Sequence, residues 1–420
     1  MLVLILLRRK QEAYMMLHSA TFSSPGPTKV PLFNRKSILA LLVLLLLVVA
    51  VLYTAFLVPR LTAVPSSPSS SFFASIDTMK SSRDTETHPL SHQEITNIVK
   101  LSASLHTNYI TVDTLWEYSS YMKQWIDAIR ATGRHVWFRG HPNQWENNNH
   151  TPGIMTLKQY EAAEKEFILQ HASFFQPGDI FDACSEPEEG HYWKATYGSE
   201  WTSHAPNAAT VEYNAFLRDT TDIANSTLHL KGIQGVITTI RSTNSFFATH
   251  PKVLEQATVN KFGYITVDSY PDQFTTDPTN AANARLKELQ TIENIWHLPI
   301  VIGEMGYSNN VDVNDTTQQA VLKAEFEALV PLSYLAGVNY WVGAGTNTSG
   351  GYTHIFAVVN GIWSLRPAAH ELSAFYQSKL CGRASAMLTD RSIPSWLVAL
   401  SLSVHLAGSF RSYKLLFDNC

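Results

Sequence analysis

Between residue 72 and about residue 379, short β-rich runs alternate with helical periods eight times over. The runs are Phe72–Met79, Asn108–Thr114, His135–His141, Asp179–Glu186, Gly235–Arg241, Tyr264–Tyr270, Pro299–Gly306 and Gly337–Val342. Helical spacing predicts Ser91–His106, Ser119–Thr132, Thr156–Phe175, Thr210–Leu230, Pro251–Thr258, Asn280–Trp296, Thr316–Tyr334 and Arg366–Lys379. Ser91 with Glu94 three residues on reads as a capping box. Met122, Trp125, Ile126 and Ile129 share one helix face. Regular strand–helix alternation implies parallel strands. Eight units in about 310 residues fit a closed (β/α)8 TIM barrel. An open doubly wound sheet would carry a glycine-rich turn after its first strand, and Ile76-Asp-Thr-Met-Lys-Ser-Ser contains no glycine.

The flanks break this rhythm. Residues 37–58 are uncharged and apolar, long enough to cross a bilayer as one N-terminal transmembrane helix. Arg8, Arg9, Lys10, Lys29, Arg35 and Lys36 precede the run, whereas only Arg60 follows before Lys80. The positive-inside rule therefore predicts a type II signal anchor, with a cytosolic tail (1–36) and a lumenal or extracellular remainder. Residues 59–71 form a Pro/Ser-rich stem, 72–380 the barrel and 381–420 an extension without barrel periodicity. Asn149, Asn225, Asn314 and Asn347 each open a glycosylation triplet. No basic run is large enough for a nucleic-acid face. Three cysteines make no disulfide framework. With neither His-Glu-x-x-His nor a Cys cluster, no metal or cofactor is expected.

In a barrel, chemistry sits where strands end and loops begin. The fourth run ends Asp182-Ala-Cys-Ser185-Glu186-Pro187, and the seventh ends Ile302-Gly303-Glu304-Met305-Gly306. A charge at the end of so apolar a run as the seventh is costly unless compensated. Paired carboxylates across a barrel mouth suit glycoside hydrolysis. One protonates the leaving oxygen, and the other attacks the anomeric carbon from about 5–5.5 Å away, with net retention. Trp137, Arg139 and His141 alternate on one face of the third strand. Arg139 is placed to hold Glu304 ionised or to pair with Asp182, and His141 to orient a sugar or the acid/base. Arg241 and Asn244 close the fifth strand as further candidates. The long loop after the fourth strand carries His191, Tyr192, Trp193, Trp201 and His204, and is expected to wall a cleft. Asn360-Gly361 between β-rich runs predicts a hairpin.

The two Glu-bearing motifs resemble, in order and strand number, those of the clan A glycoside hydrolases, the family 5-like enzymes in particular. The resemblance implies that Glu186 is the acid/base and Glu304 the nucleophile. It implies that Tyr270 hydrogen-bonds the nucleophile, and that Trp341 floors the sugar site unless it is barrel core. Ser185 stands where the family has a sugar-binding Asn, and Asp268 where it has a His. The substrate implied is an oligo- or polysaccharide. Two other readings share the anchor and stem. A Golgi-type glycosyltransferase would commonly need Asp-x-Asp, which is absent. A non-catalytic glycan-binding barrel would not need both Glu residues.

Overall fold

The computed structural model describes residues 72–146, 153–271, 275–307, 314–345 and 353–389. Each of the eight β-rich runs overlaps a strand, with the fifth strand ending one residue later and the eighth beginning two residues earlier than expected: β1 (Phe73–Asp77), β2 (Tyr109–Val112), β3 (His135–Phe138), β4 (Ile180–Ser185), β5 (Ile237–Ser242), β6 (Ile265–Asp268), β7 (Ile300–Met305) and β8 (Leu335–Tyr340). They pair in sequence order, all parallel, and β1 closes against β8.

The barrel interior is layered by the strands' alternation. At the floor, Phe73, Tyr109, Trp137, Ile180, Tyr264 and Val301 pack into one apolar cluster. Two residues further along the strands the interior turns to hydroxyls. The Ser75 and Thr111 side chains lie 2.8 Å apart, Thr111 donates to Asn339 at 2.9 Å, and Thr239 meets Thr266 at 3.0 Å. At the carboxyl ends it turns to charge, with Asp77, Arg139, Asp182, Arg241, Asp268 and Glu304 all buried. The opposite faces of the strands pack on the helices and form the main core.

Most helices begin where the caps predict. Ser91 makes its capping box with Glu94 before His92–Ser104, and Thr156 makes one with Gln159 before Leu157–Gln170. Pro251–Thr258 is not one helix. A short helix, Phe246–Thr249, precedes it, and another, Gln256–Val259, covers only its end. Asn214, on the helix Ala208–Leu230, donates to the Val253 carbonyl at 2.7 Å and accepts the Glu255 N–H at 2.8 Å. Those side-chain bonds substitute for helical ones and break the run. The hairpin forms as expected from β9 (Phe356–Val359) and β10 (Ile362–Leu365), with Asn360 and Gly361 at φ 52° and 77°. The last helix, Pro367–Thr389, crosses the boundary expected at residue 380.

Among the described residues, no helix is long and apolar enough to cross a membrane. The expected span at residues 37–58 lies outside them, as do the tail, the stem, and Asn149 and Asn347. Asn225 and Asn314 are exposed.

Candidate active site

Strict alternation from Val301 would point Gly303 inward and Glu304 outward. A register shift in the β6–β7 pairing, where Asp268 meets Glu304, changes that order. Such bulges re-aim side chains at barrel rims. The Glu304 carboxylate takes hydrogen bonds from Arg139 Nη2 and, at 3.3 Å, from the Tyr270 hydroxyl. Arg241 Nη1 stands 3.5 Å from the same oxygen that Arg139 bonds. Gly303 makes this possible. A Cβ there would lie 2.7 Å from Arg241 Cδ and 3.0 Å from Asp268 Oδ1.

Glu186 follows β4 in the left-handed region, at φ 44° and ψ 58°. A non-glycine residue there costs about 1 kcal/mol or more. The turn is held by the Glu186 N–H donating to the Arg241 carbonyl at 2.8 Å and by the Glu189 N–H donating back to Glu186 at 2.9 Å. The Glu186 side chain accepts from Thr243 Oγ1 at 2.8 Å, and its other oxygen lies 3.5 Å from Arg241 Nη2. Arg241 thus lies within 3.5 Å of both carboxylates. The two groups face one gap at the mouth.

Charge balance in this gap is tight. Arg139 also pairs with Asp77, and Arg241 with Asp268. Burial raises the Glu304 pKa more than Arg139 and Arg241 lower it, and the charges of Glu186 and Asp77 add to the rise. Burial likewise lifts Asp182 to about 6 and Asp268 well above the usual range.

The remaining candidates divide. Tyr270 and Trp341 are half-buried, their rings 6.3 Å apart edge to face, and Lys80 Nζ lies over the Trp341 ring at 5.7 Å. Trp341 is therefore at the mouth and not in the barrel core. His141 is paired with Arg83 and Glu146. It is fully buried, with Arg83 Nη1 3.0 Å and a Glu146 oxygen 3.1 Å from its Nε2. Ser185 donates its hydroxyl to the Arg139 carbonyl at 2.6 Å and so ties β4 to the end of β3. Trp193 does not wall the cleft. It is fully buried, donates to the Pro187 carbonyl at 2.7 Å and stacks on Trp201. Asn244 is exposed in the turn after β5. Asp77, Arg83, Glu188 and Thr243 were not singled out by the sequence. Asp77 alone had a visible signal, an acid closing the apolar run FASID.

No family model and no curated protein matches the chain. Solved structures do. A GH5_18 protein from Bifidobacterium longum subsp. infantis superposes with a TM-score of 0.54 at 12% identity, over 73% of this chain and 78% of its own. A GH5_18 protein from Streptomyces cattleya, in complex with Manβ1-4GlcNAc, gives 0.53 at 13% identity, over 73% and 80%. An apo β-glucosidase 1317 gives 0.51 at 12% identity, over 73% and 98%. This chain shares their fold. The likeness spans the barrel that the sequence rhythm predicts, and the fold is that of glycoside hydrolase family 5 structures.

Proposed function

We propose that the chain is a glycoside hydrolase that cleaves β-linked glycans with retention, Glu304 acting as nucleophile and Glu186 as acid/base. The observation that carries this reading is the single guanidinium of Arg241 within 3.5 Å of both carboxylates, one from the end of β4 and one from β7. Two acids facing one gap match the chemistry of double displacement. Glu186 gives a proton to the leaving oxygen while Glu304 forms the glycosyl-enzyme. Glu186 then takes a proton from the attacking water. Arg139 and Tyr270 bond the Glu304 carboxylate and orient it for attack. The neighbouring fold supports a carbohydrate substrate, as one GH5_18 structure holds Manβ1-4GlcNAc and another GlcNAc.

The test is stereochemical. With Glu186→Ala and an activated β-glycoside, azide should intercept the glycosyl-enzyme and give the β-azide. With Glu304→Ala, azide should attack the substrate directly and give the α-azide. Proton NMR reads both products. The reverse pattern would exchange the two roles, and an inverted sugar from the unmutated chain would end the retaining reading.

The same proposal places the barrel on the lumenal or outer side of a membrane, anchored by residues 37–58. Protease added to sealed microsomes should then trim only the N-terminal tail. Digestion of the barrel without detergent would reject the topology.

A further inference from the structure

The turn that carries Glu186 grips the end of β5 with a second carboxylate that the mechanism above does not use. Glu188, two residues on, accepts the Ser242 hydroxyl at 2.6 Å and the Thr243 N–H at 3.4 Å. Thr243 in turn donates its hydroxyl to Glu186 at 2.8 Å. The turn and the strand end are thus tied in both directions. β5 supplies the Arg241 carbonyl and the Thr243 hydroxyl to Glu186, and the turn supplies the Glu188 carboxylate to residues 242 and 243. We propose that Glu188 and Thr243 form a positioning clamp that fixes the direction of the acid/base Glu186. The proposal rests on the hydrolase reading only for what Glu186 does; the clamp itself is a matter of geometry.

The two halves of the clamp act on Glu186 with opposite sign. A hydroxyl donating to a carboxylate favours its ionised form, whereas a neighbouring negative charge disfavours it. Thr243→Val removes the first influence and Glu188→Gln the second, so the two variants act in opposite directions. Burial pushes the Glu188 pKa up to about 7, so its charge appears within the working range of an enzyme. The other groups facing Glu188 are Tyr213 from the helix Ala208–Leu230, Cys184 from β4, and Glu186 itself. Those facing Glu186 are Arg241 beside Thr243, Arg83 after the short helix Met79–Ser82, Asp268 on β6, Glu304 on β7 and Glu189 on the same turn. None of these changes in the Thr243 and Glu188 variants below.

The experiment compares Thr243→Val, Thr243→Ser and Glu188→Gln with the unmutated chain, and Glu304→Ala serves as blank. Because kcat/KM reports the first chemical step, a poor leaving group exposes any fault in proton donation. Thr243→Val should lose about tenfold or more in kcat/KM on an oligosaccharide but less than about twofold on a dinitrophenyl β-glycoside, which needs no proton. Thr243→Ser should recover most of the loss. The alkaline limb of the pH profile should move up by about half a unit to one unit in Thr243→Val, and down in Glu188→Gln. Carbodiimide labelling of Glu186 against pH, read by mass spectrometry, should show the same opposite shifts without any turnover. Equal losses on both substrates, or limbs moving in one direction, would overturn the clamp. If the unmutated chain and the blank hydrolyse alike, the hydrolase reading fails and the labelling curves alone decide the clamp: opposite shifts support it, and coincident curves reject it.

Discussion

Arg139 bridges two acids that sit at opposite ends of its guanidinium. Nη1 meets Asp77 and Nη2 meets Glu304, and all three side chains are nearly or fully buried. Replacing it by Gln leaves both carboxylates without their nearest cation. Stability should fall by about 3–5 kcal/mol, as when one member of a buried ion pair is removed. The titration of Glu304, the proposed nucleophile, should move as well. Glu304 already binds its proton more tightly than usual. The reaction needs it ionised, so activity is lost as pH falls through its pKa. Without the Arg139 charge that pKa rises, and the acid limb of kcat/KM should move up by about one pH unit. An unmoved acid limb in Arg139→Gln would mean that Arg139 does not tune Glu304. Arg139 could be read from the sequence because β3 keeps strict alternation from Trp137. The surroundings of Ser185 and His141 do not follow alternation. The β4–β5 pairing shifts register between Asp182 and Cys184, and His141 lies past the end of β3, where Arg83 and Glu146 pair with it.

At the scale of the elements, the eight strands were legible because each is a short apolar run closed by turn residues, and the capped helices because their caps are local. What the sequence hid is how strand ends meet one another. Thr243 faces Glu186 only because the residue after β4 turns left-handed, and nothing in the run IFDACSEPEE announces that. The glycine of the β7 end, by contrast, can now be given a physical reason. Gly303 lies against the stem of Arg241, and a methyl group at 2.7–2.8 Å from Cδ and Cγ would push the guanidinium out of its position between the two acids. Gly303→Ala should therefore cost about 1–3 kcal/mol from overpacking. It should also lower kcat by about tenfold or more through the displaced Arg241, with KM changed less. Calorimetry and steady-state kinetics on the same preparation check both. Loss of stability with unaltered kcat would show that the position of Arg241 is immaterial to the reaction.

Across the whole molecule, burial has collected an unusual set of acids that hold their protons. Burial lifts Glu86 to about 7, Asp182 to about 6 and Glu188 to about 7, and raises Glu164 and Asp268 well above the ordinary carboxylate range. Each binds its proton more tightly when folded than when unfolded. Their contribution is fully present below pH about 4 and is lost as pH rises through the folded values. Three acids among the described residues work the other way: bonds from Ser91 lower the exposed Glu94, and Glu146 and Asp179 are lowered in buried sites. Burial opposes it, but His141 and Arg83 hold Glu146 below its usual range, and His135 and Arg130 do so for Asp179. The stability they add is present above about pH 4 and fades in stronger acid. The raised acids outnumber the depressed ones, so the folded barrel should take up protons between about pH 4 and 7. Tm should then peak near pH 5 and fall towards pH 8. Glu86 offers a clean probe because it stands outside the carboxylate gap. Its buried side chain accepts the Leu115 N–H, a bond that the amide oxygen of Gln can keep. Glu86→Gln should match the unmutated chain at pH 4–5 and melt higher at pH 8, where the unmutated side chain must be ionised in a buried site. Differential scanning calorimetry across pH 4–8 at constant ionic strength measures both trends. A Tm that rises steadily to pH 8, or a Glu86→Gln variant that loses stability there, would show that these acids are ionised in the folded barrel at no cost.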